Sequence, residues 1–168
     1  MIGSSIGYRG DGFVRLNHSS HPQKITIVFS TEDQNSLLVT QGRNDENSLT
    51  VTVSNGHLKL SLFQNGDFYG IQCDVRINDG QLHTLTLEIK AKTISLILDG
   101  KDPITQEIDK VIDFQSDYLF IGGKIQEFLV GKPGFRGCIY QIIVDTTEID
   151  FSDNNNSLTT ANIVPCLE

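Results

Sequence analysis

Residues 49–62 read LTVTVSNGHLKLSL. Leu49, Val51 and Val53 alternate with Thr50 and Thr52. Leu58, Leu60 and Leu62 alternate with Lys59 and Ser61. Successive strand residues face opposite sides of a sheet, so this spacing buries one face and wets the other. Asn55-Gly56 separates the two runs. A two-residue hairpin needs positive φ at both central positions, and Asn followed by Gly meets that need. The stretch therefore predicts an antiparallel hairpin with one apolar face.

The same period extends outward. Ile25, Ile27 and Phe29 keep the same spacing, as do Leu85, Leu87 and Ile89, and Ile94, Leu96 and Leu98, with mostly polar residues between them. QNGD at 64–67, NDGQ at 78–81 and LDGK at 98–101 supply further turns. One wet face per strand is the mark of antiparallel sheets. Short strands and frequent turns predict an all-β sandwich. No segment carries a sustained helical stripe, and residues 102–114 follow neither period. SDNNNS at 152–157 reads as an exposed loop before a final extended segment ending at Cys166. There is no internal repeat.

The chain has 168 residues, 38% hydrophobic and 20% charged, which fits one globular domain with its own core. Its net charge of −8 argues against phosphate backbones and anionic lipid as partners, so neither nucleic acid nor membrane is expected. No apolar run is long enough to span a bilayer. The opening MIGSSIGYRG lacks the basic and apolar regions of a signal peptide. It reads as native sequence or as residues added to a piece cut from a longer secreted chain.

Cys73, Cys138 and Cys166 form no CxxC, and the four histidines show no ligand spacing, so a structural zinc is not expected. Asn17-His18-Ser19 and Asn155-Asn156-Ser157 are N-glycosylation acceptors by pattern.

Four features arrive in order: the hairpin at 48–62; INDGQLHTLTLEIKAKTISLILDGK at 77–101; YLFIGGK at 118–124; and GFRGCIYQIIVDTTEIDF at 134–151, followed by a terminal cysteine. This resembles the laminin G-like (LNS) domain, as found in laminin α chains, agrin, perlecan and neurexins. The resemblance covers residues 8–168 and leaves 1–7 as linker or added residues. It implies an antiparallel jelly-roll β-sandwich and a Cys138–Cys166 disulfide. Cys73 is then the odd cysteine, expected as a buried inert thiol, with pairing to another chain as the lesser alternative. The family has Trp-His after the D-G-x turn. Here Leu82 precedes His83, which marks a divergent member, although a leucine can fill the same core slot. His83 is expected to be structural.

The resemblance also implies a calcium at the rim of the sandwich. Carried over, its ligands fall on Asn47, with Asp45 close by, and on Asp117. Hard oxygen donors suit that ion. The implied function is an extracellular adhesion or recognition module, one of several tandem domains of a basement-membrane or cell-surface protein. It implies as partner a cell-surface receptor (an integrin or a dystroglycan-like glycan) or another matrix protein. The net charge of −8 argues against heparin, and Arg9, Lys124, Lys132 and Arg136 are the candidates for a local basic cluster that would offset it.

Three further motifs bear on function. Arg9-Gly10-Asp11 matches an integrin-binding tripeptide, but in YRGDGF the glycines also suit a turn into the strand FVRL, with Asp11 capping it. Gly3-Ser4-Ser5-Ile6-Gly7 matches G-x-S-x-G without the strand and helix that a nucleophile elbow needs. EIDKVID at 107–113 and EIDFSD at 148–153 approach the paired-carboxylate spacing of sandwich glycosidases. Neither completes E-x-D-x-x-E, and the chain has no tryptophan to stack a sugar. The reading is therefore a binding module, not an enzyme. The alternatives are a spacer without its own ligand and a jelly-roll glycoside hydrolase using Glu148.

Overall fold

Alternation decides which side of each strand is dry, and turns decide which strands pair. Both are visible in the computed structural model, which describes residues 6–9, 13–16, 23–44, 47–109, 119–122, 134–149, 158–161 and 164–166. Strands β1 (Ile6–Arg9), β2 (Phe13–Leu16), β3 (Lys24–Ser30), β4 (Ser36–Asn44) and β5 (Asn47–Ser54) come first. Then follow β6 (His57–Gln64), β7 (Asp67–Arg76), β8 (His83–Ile89), β9 (Thr93–Leu98) and β10 (Ile104–Glu107). The chain ends with β11 (Leu119–Gly122), β12 (Arg136–Val144), β13 (Thr147–Glu148), β14 (Leu158–Ala161) and β15 (Val164–Pro165).

Two antiparallel sheets form a jelly-roll sandwich. One runs β10-β9-β8-β3-β12-β1-β15, with β13 paired to β12; the other runs β14-β2-β11-β4-β5-β6-β7. The hairpin at 49–62 is β5–β6, with Leu49 opposite Leu62 and Val53 opposite Leu58. Asn55 and Gly56 have φ of 50° and 83°, as the sequence requires. Asn65-Gly66 and Asp99-Gly100 turn in the same left-handed region.

Ile25, Ile27, Phe29, Leu49, Val51, Val53, Leu58, Leu60, Leu62, Leu85, Leu87, Ile89, Ile94, Leu96 and Leu98 are all buried in one core. Each such side chain contributes about 1.5–3 kcal/mol relative to an exposed one. Phe29 and Phe135 meet edge to face in it, with ring centroids 6.3 Å apart.

Several details go beyond the sequence reading or against it. Ile6 and Gly7, left in the leading segment, pair with Ile139 and Cys138. Within 102–114, β10 forms and Ile108 is buried. Leu82 does not fill a core slot: it is 60% exposed. It belongs to the link that crosses from β7 to β8, and the buried alternation begins only at His83. Cys138 and Cys166 form a disulfide with Cα atoms 6.0 Å apart. Cys73 is a free, buried thiol. Its burial, and then the Asp74 carboxylate, push its pKa up, which keeps it protonated and unreactive.

Candidate functional site

The two ends of the sandwich differ in chemistry. At one end β4 turns into β5, β6 turns into β7, β2 finishes and β11 begins. Leu119 is opposite both Gln41 and Leu16 there, and Asn47 is opposite Gln64. Asn47 lies two residues before Leu49, and Gln64 two after Leu62, so both extend the inward rows of their strands. Gln41 is opposite Leu49 and shares its face. The inward face of this sheet thus ends in carboxamides, Gln41, Asn47 and Gln64, all buried.

Asn47 acts as a clip. Its Oδ1 accepts the backbone N–H of Asn65 at 3.1 Å, holding the β6–β7 turn against the start of β5. The Gln41 Oε1 is buried with no hydrogen-bond partner among the described residues. A buried amide oxygen without a donor costs roughly 1–3 kcal/mol unless a water or a cation serves it.

Of the calcium ligands implied by the resemblance, Asn47 stands at this end. Asp45 and Asp117 lie outside the described residues, as does the acceptor Asn17, which follows Leu16. The side chains in view are neutral carboxamides, whose oxygens suit a hard cation such as calcium but bring it no charge. Among the described residues no group of three or more His, Cys, Asp or Glu gathers for a metal. Gln41 and Gln64 escaped the sequence reading, although extending the two-residue period past the leucines finds Gln64.

The opposite end carries the disulfide. A cleft of about 590 Å³ opens there between the end of β3, the β7–β8 link and the start of β12, lined by Thr31, Glu32, Asp33, Gly80, Arg136 and Cys138 among others. Thr31 ties its walls together. Its Oγ1 donates to the Arg136 carbonyl at 2.6 Å and accepts the Asp33 N–H at 3.0 Å, and its carbonyl accepts the Gly80 N–H at 3.1 Å. Arg9 is directly opposite Arg136 in the sheet, which brings two of the four basic candidates together. Lys124 and Lys132 lie outside the described residues. So do Gly10 and Asp11 of the integrin tripeptide, between Arg9 at the end of β1 and Phe13 at the start of β2.

His83 stands at the same end, 8% exposed. Its Nδ1 bonds Asp99 Oδ2 at 2.8 Å and its Nε2 bonds Asp79 Oδ1 at 2.9 Å. Carboxylates only accept, so both ring nitrogens carry protons when both bonds are made. Burial alone would lower the pKa of this histidine. The hydrogen bonds and charges of Asp99 and Asp79 outweigh it and raise the pKa above 6.5. The Asp79 carboxyl is held below its usual range, first by its bond to His83 and then by the Gln81 N–H. His83 is thus a charged clasp between the β7–β8 link and the β9–β10 turn.

Among the described residues, the carboxylates weighed for hydrolysis stand far apart. Glu107 is on β10 and Glu148 on β13, with β9, β8, β3 and β12 between them in the sheet. Glu148 Oε1 accepts from Gln141 Nε2 at 3.0 Å. Asp113, Asp150 and Asp153 lie outside the described residues, as do Asn155 and the first three residues of the G-x-S-x-G match. Gly7 of that match is a strand residue of β1.

The family model described as Laminin G domain matches residues 29–147. The chain is 28% identical over 181 residues to "Cadherin EGF LAG seven-pass G-type receptor fmi-1" of Caenorhabditis elegans, across 88% of its own length and 7% of that protein's. It is 25% identical over 179 residues to "Basement membrane proteoglycan" of the same organism, across 96% of its own length and 5% of the relative's. It thus spans a small part of the curated relatives it matches. Among solved structures, domains LG4-5 of the mouse laminin alpha1 chain share its fold with a TM-score of 0.77 at 14% identity, over 94% of this chain and 46% of that one.

Proposed function

The chain belongs to the laminin G domain family, and from that premise we propose that it is an extracellular recognition module of a matrix or cell-surface protein. It binds a receptor, a glycan or a matrix protein through the loops at the Asn47 end, with a calcium ion held there. Asn47, Asp45 and Asp117 hold the ion. Calcium supplies a positive charge on an otherwise acidic chain, and so a contact for an anionic group of the partner. Relatives named for a basement membrane and for a cell-surface receptor support the location outside the cell. So does the disulfide, since such bonds persist in oxidising compartments.

The observation that carries this reading is the buried oxygen-donor rim: Asn47 fixed by the Asn65 turn, with the unsatisfied Gln41 oxygen on the same inward face. The test is calorimetric titration with calcium, followed by binding to a glycan and matrix-protein array with and without chelator. We expect heat and a rise in melting temperature at millimolar calcium, and array binding that the chelator removes. No heat and no melting shift would remove the ion from the proposal. Array binding that persists in chelator would leave recognition without calcium.

A further inference from the structure

Two turns of this protein share the same pair of residues and the same backbone but have different surroundings. Asn55-Gly56 joins β5 to β6 with φ of 50° and 83°, and Asn65-Gly66 joins β6 to β7 with φ of 51° and 84°. Gly56 is buried. Its N–H donates to the Gln34 carbonyl at 3.0 Å and its carbonyl accepts the Ile77 N–H at 2.8 Å. Asn55 donates its own N–H to Asn35 Oδ1 at 3.1 Å. An added Cβ on Gly56 would run into the side chains of Asn78 and Arg76. That turn is locked between the β3–β4 link and the β7–β8 link. Asn65 and Gly66 are both exposed, and nothing lies within 4 Å of a Cβ on Gly66. Asn47 holds Asn65 by its backbone N–H. Among the described residues, the Asn65 carboxamide and the Gly66 N–H have no partner.

Those two groups can react with each other. Hydroxide takes the proton of the Gly66 nitrogen, and the nitrogen attacks Asn65 Cγ. The N–Cγ bond forms, the Cγ–Nδ2 bond breaks, and ammonia leaves with a proton from water. Water then opens the cyclic imide at either carbonyl, breaking one C–N bond. The products are aspartate, or isoaspartate with the backbone running through Cβ and Cγ. Glycine carries no side chain to hinder the attack. Gly56 protects Asn55, because its nitrogen must first leave a buried hydrogen bond before hydroxide can reach the proton. The Asp-Gly turns are held differently. His83 and the Thr84 N–H bind the Asp99 carboxylate, and His83 and the Gln81 N–H bind that of Asp79. The isoaspartate product lengthens a two-residue loop by one backbone atom. The pairing of Gln64 with Asp67 and the Asn65–Asn47 bond both depend on that loop. Either product sets a carboxylate beside the neutral carboxamides of the rim.

We infer that Asn65 is a site of spontaneous covalent modification: it converts through a cyclic imide with Gly66 into aspartate and isoaspartate, placing a carboxylate at the rim, and the isoaspartate form releases the Asn47 clip. The inference goes beyond the recognition reading and holds whether or not an ion binds there. The test is incubation of the 168-residue chain in mildly alkaline buffer with EDTA, both native and unfolded in urea. Peptide mapping by mass spectrometry follows loss of the amide at residues 55 and 65, and labelling with an isoaspartyl methyltransferase reads the isoaspartate. In the native chain Asn65 should convert at least about fivefold faster than Asn55, the worth of one net hydrogen bond. In urea the two rates should converge. Asn47→Ala frees the turn, so it should speed conversion at Asn65 and leave Asn55 unchanged. The purified isoaspartate form should melt below the fresh protein, and the same conversion in Asn47→Ala should lower the melting temperature less, since no clip remains to be lost. The proposal is overturned by equal native rates at the two turns, or by an Asn65 that stays intact in the native chain. It is also overturned by a rate difference that persists in urea, which would place the cause in the local sequence. An isoaspartate form as stable as the fresh protein would overturn the release of the clip.

Discussion

His83 and Asp99 bind each other across the β8–β9 hairpin, Nδ1–H donating to Oδ2 at 2.8 Å. The other oxygen of Asp99 accepts the Thr84 N–H at 2.8 Å, so one carboxylate closes the hairpin and charges the histidine together. Asp79 completes the clasp from the preceding link.

The clasp predicts a pH window for stability. The folded pKa of His83 is raised, so its contribution is complete below 6.5 and is lost as pH rises through the folded value. The folded pKa of Asp79 is lowered, so its contribution is present above 3.8 and is lost as pH falls through the folded value. The melting temperature of the wild type, relative to His83→Gln, should be highest between these limits and should decline on the alkaline side. A difference that stays constant from pH 5 to 9 would show that the imidazolium is not what the two carboxylates hold.

Gly137 should tolerate no side chain. Its φ is 151°, and an added Cβ would overlap the Ser30 carbonyl oxygen and crowd Phe135 and Thr31. Backbone atoms cannot step aside as a flexible side chain does. Gly137→Ala should therefore lose at least ~2 kcal/mol in urea unfolding. A loss within ~0.5 kcal/mol, the size of an ordinary surface change, would mean that β12 does not approach β3 so closely.

These two sites also show where sequence reading succeeds and where it stops. Local rules fixed the hairpins: Asn55-Gly56 and Asn65-Gly66 turn because their own backbones can. Period two identified the buried leucines because burial repeats along each strand. The reading stopped at the leucines, so Gln64, the next inward residue, passed as part of a turn, and Asn47 was reached only through the resemblance. Leu82 was misplaced because its core slot came from the tryptophan of the family, and the resemblance says nothing of where this chain's sheet-crossing link ends and its strand begins. The partnership of His83 with Asp99 needed the β8–β9 register, which is set at the turn closed by the Lys90 N–H on the Thr93 carbonyl, where no Asn-Gly or Asp-Gly pair marks it.

The disulfide closes a stretch of 28 residues, and Cys73 is buried without a partner. Reduction, or Cys138→Ser with Cys166→Ser, should cost about 3–4 kcal/mol in the chain-entropy model. Unfolded, unreduced protein should titrate with a single thiol, and the native fold should protect that thiol from alkylation. Three reactive thiols in non-reduced, denatured material would show that the bridge does not form.

Asn47 offers a separation of its two roles. Its Oδ1 accepts the Asn65 N–H, a bond that an aspartate oxygen makes equally well. Asn47→Asp therefore keeps the clip and adds a full negative charge at the rim. If Asn47 holds calcium as proposed, the variant should bind the ion about tenfold more tightly by calorimetry, since a carboxylate compensates the charge and a carboxamide does not. In chelator, where nothing compensates the buried carboxylate, the variant should be less stable than the wild type, and calcium should restore it. Asn47→Ala should lose both functions, with stability falling by about 1–3 kcal/mol as the turn N–H is left unserved. An Asn47→Asp variant with unchanged calcium response and intact stability would confine Asn47 to the turn, and the rim would then need a different donor to hold an ion.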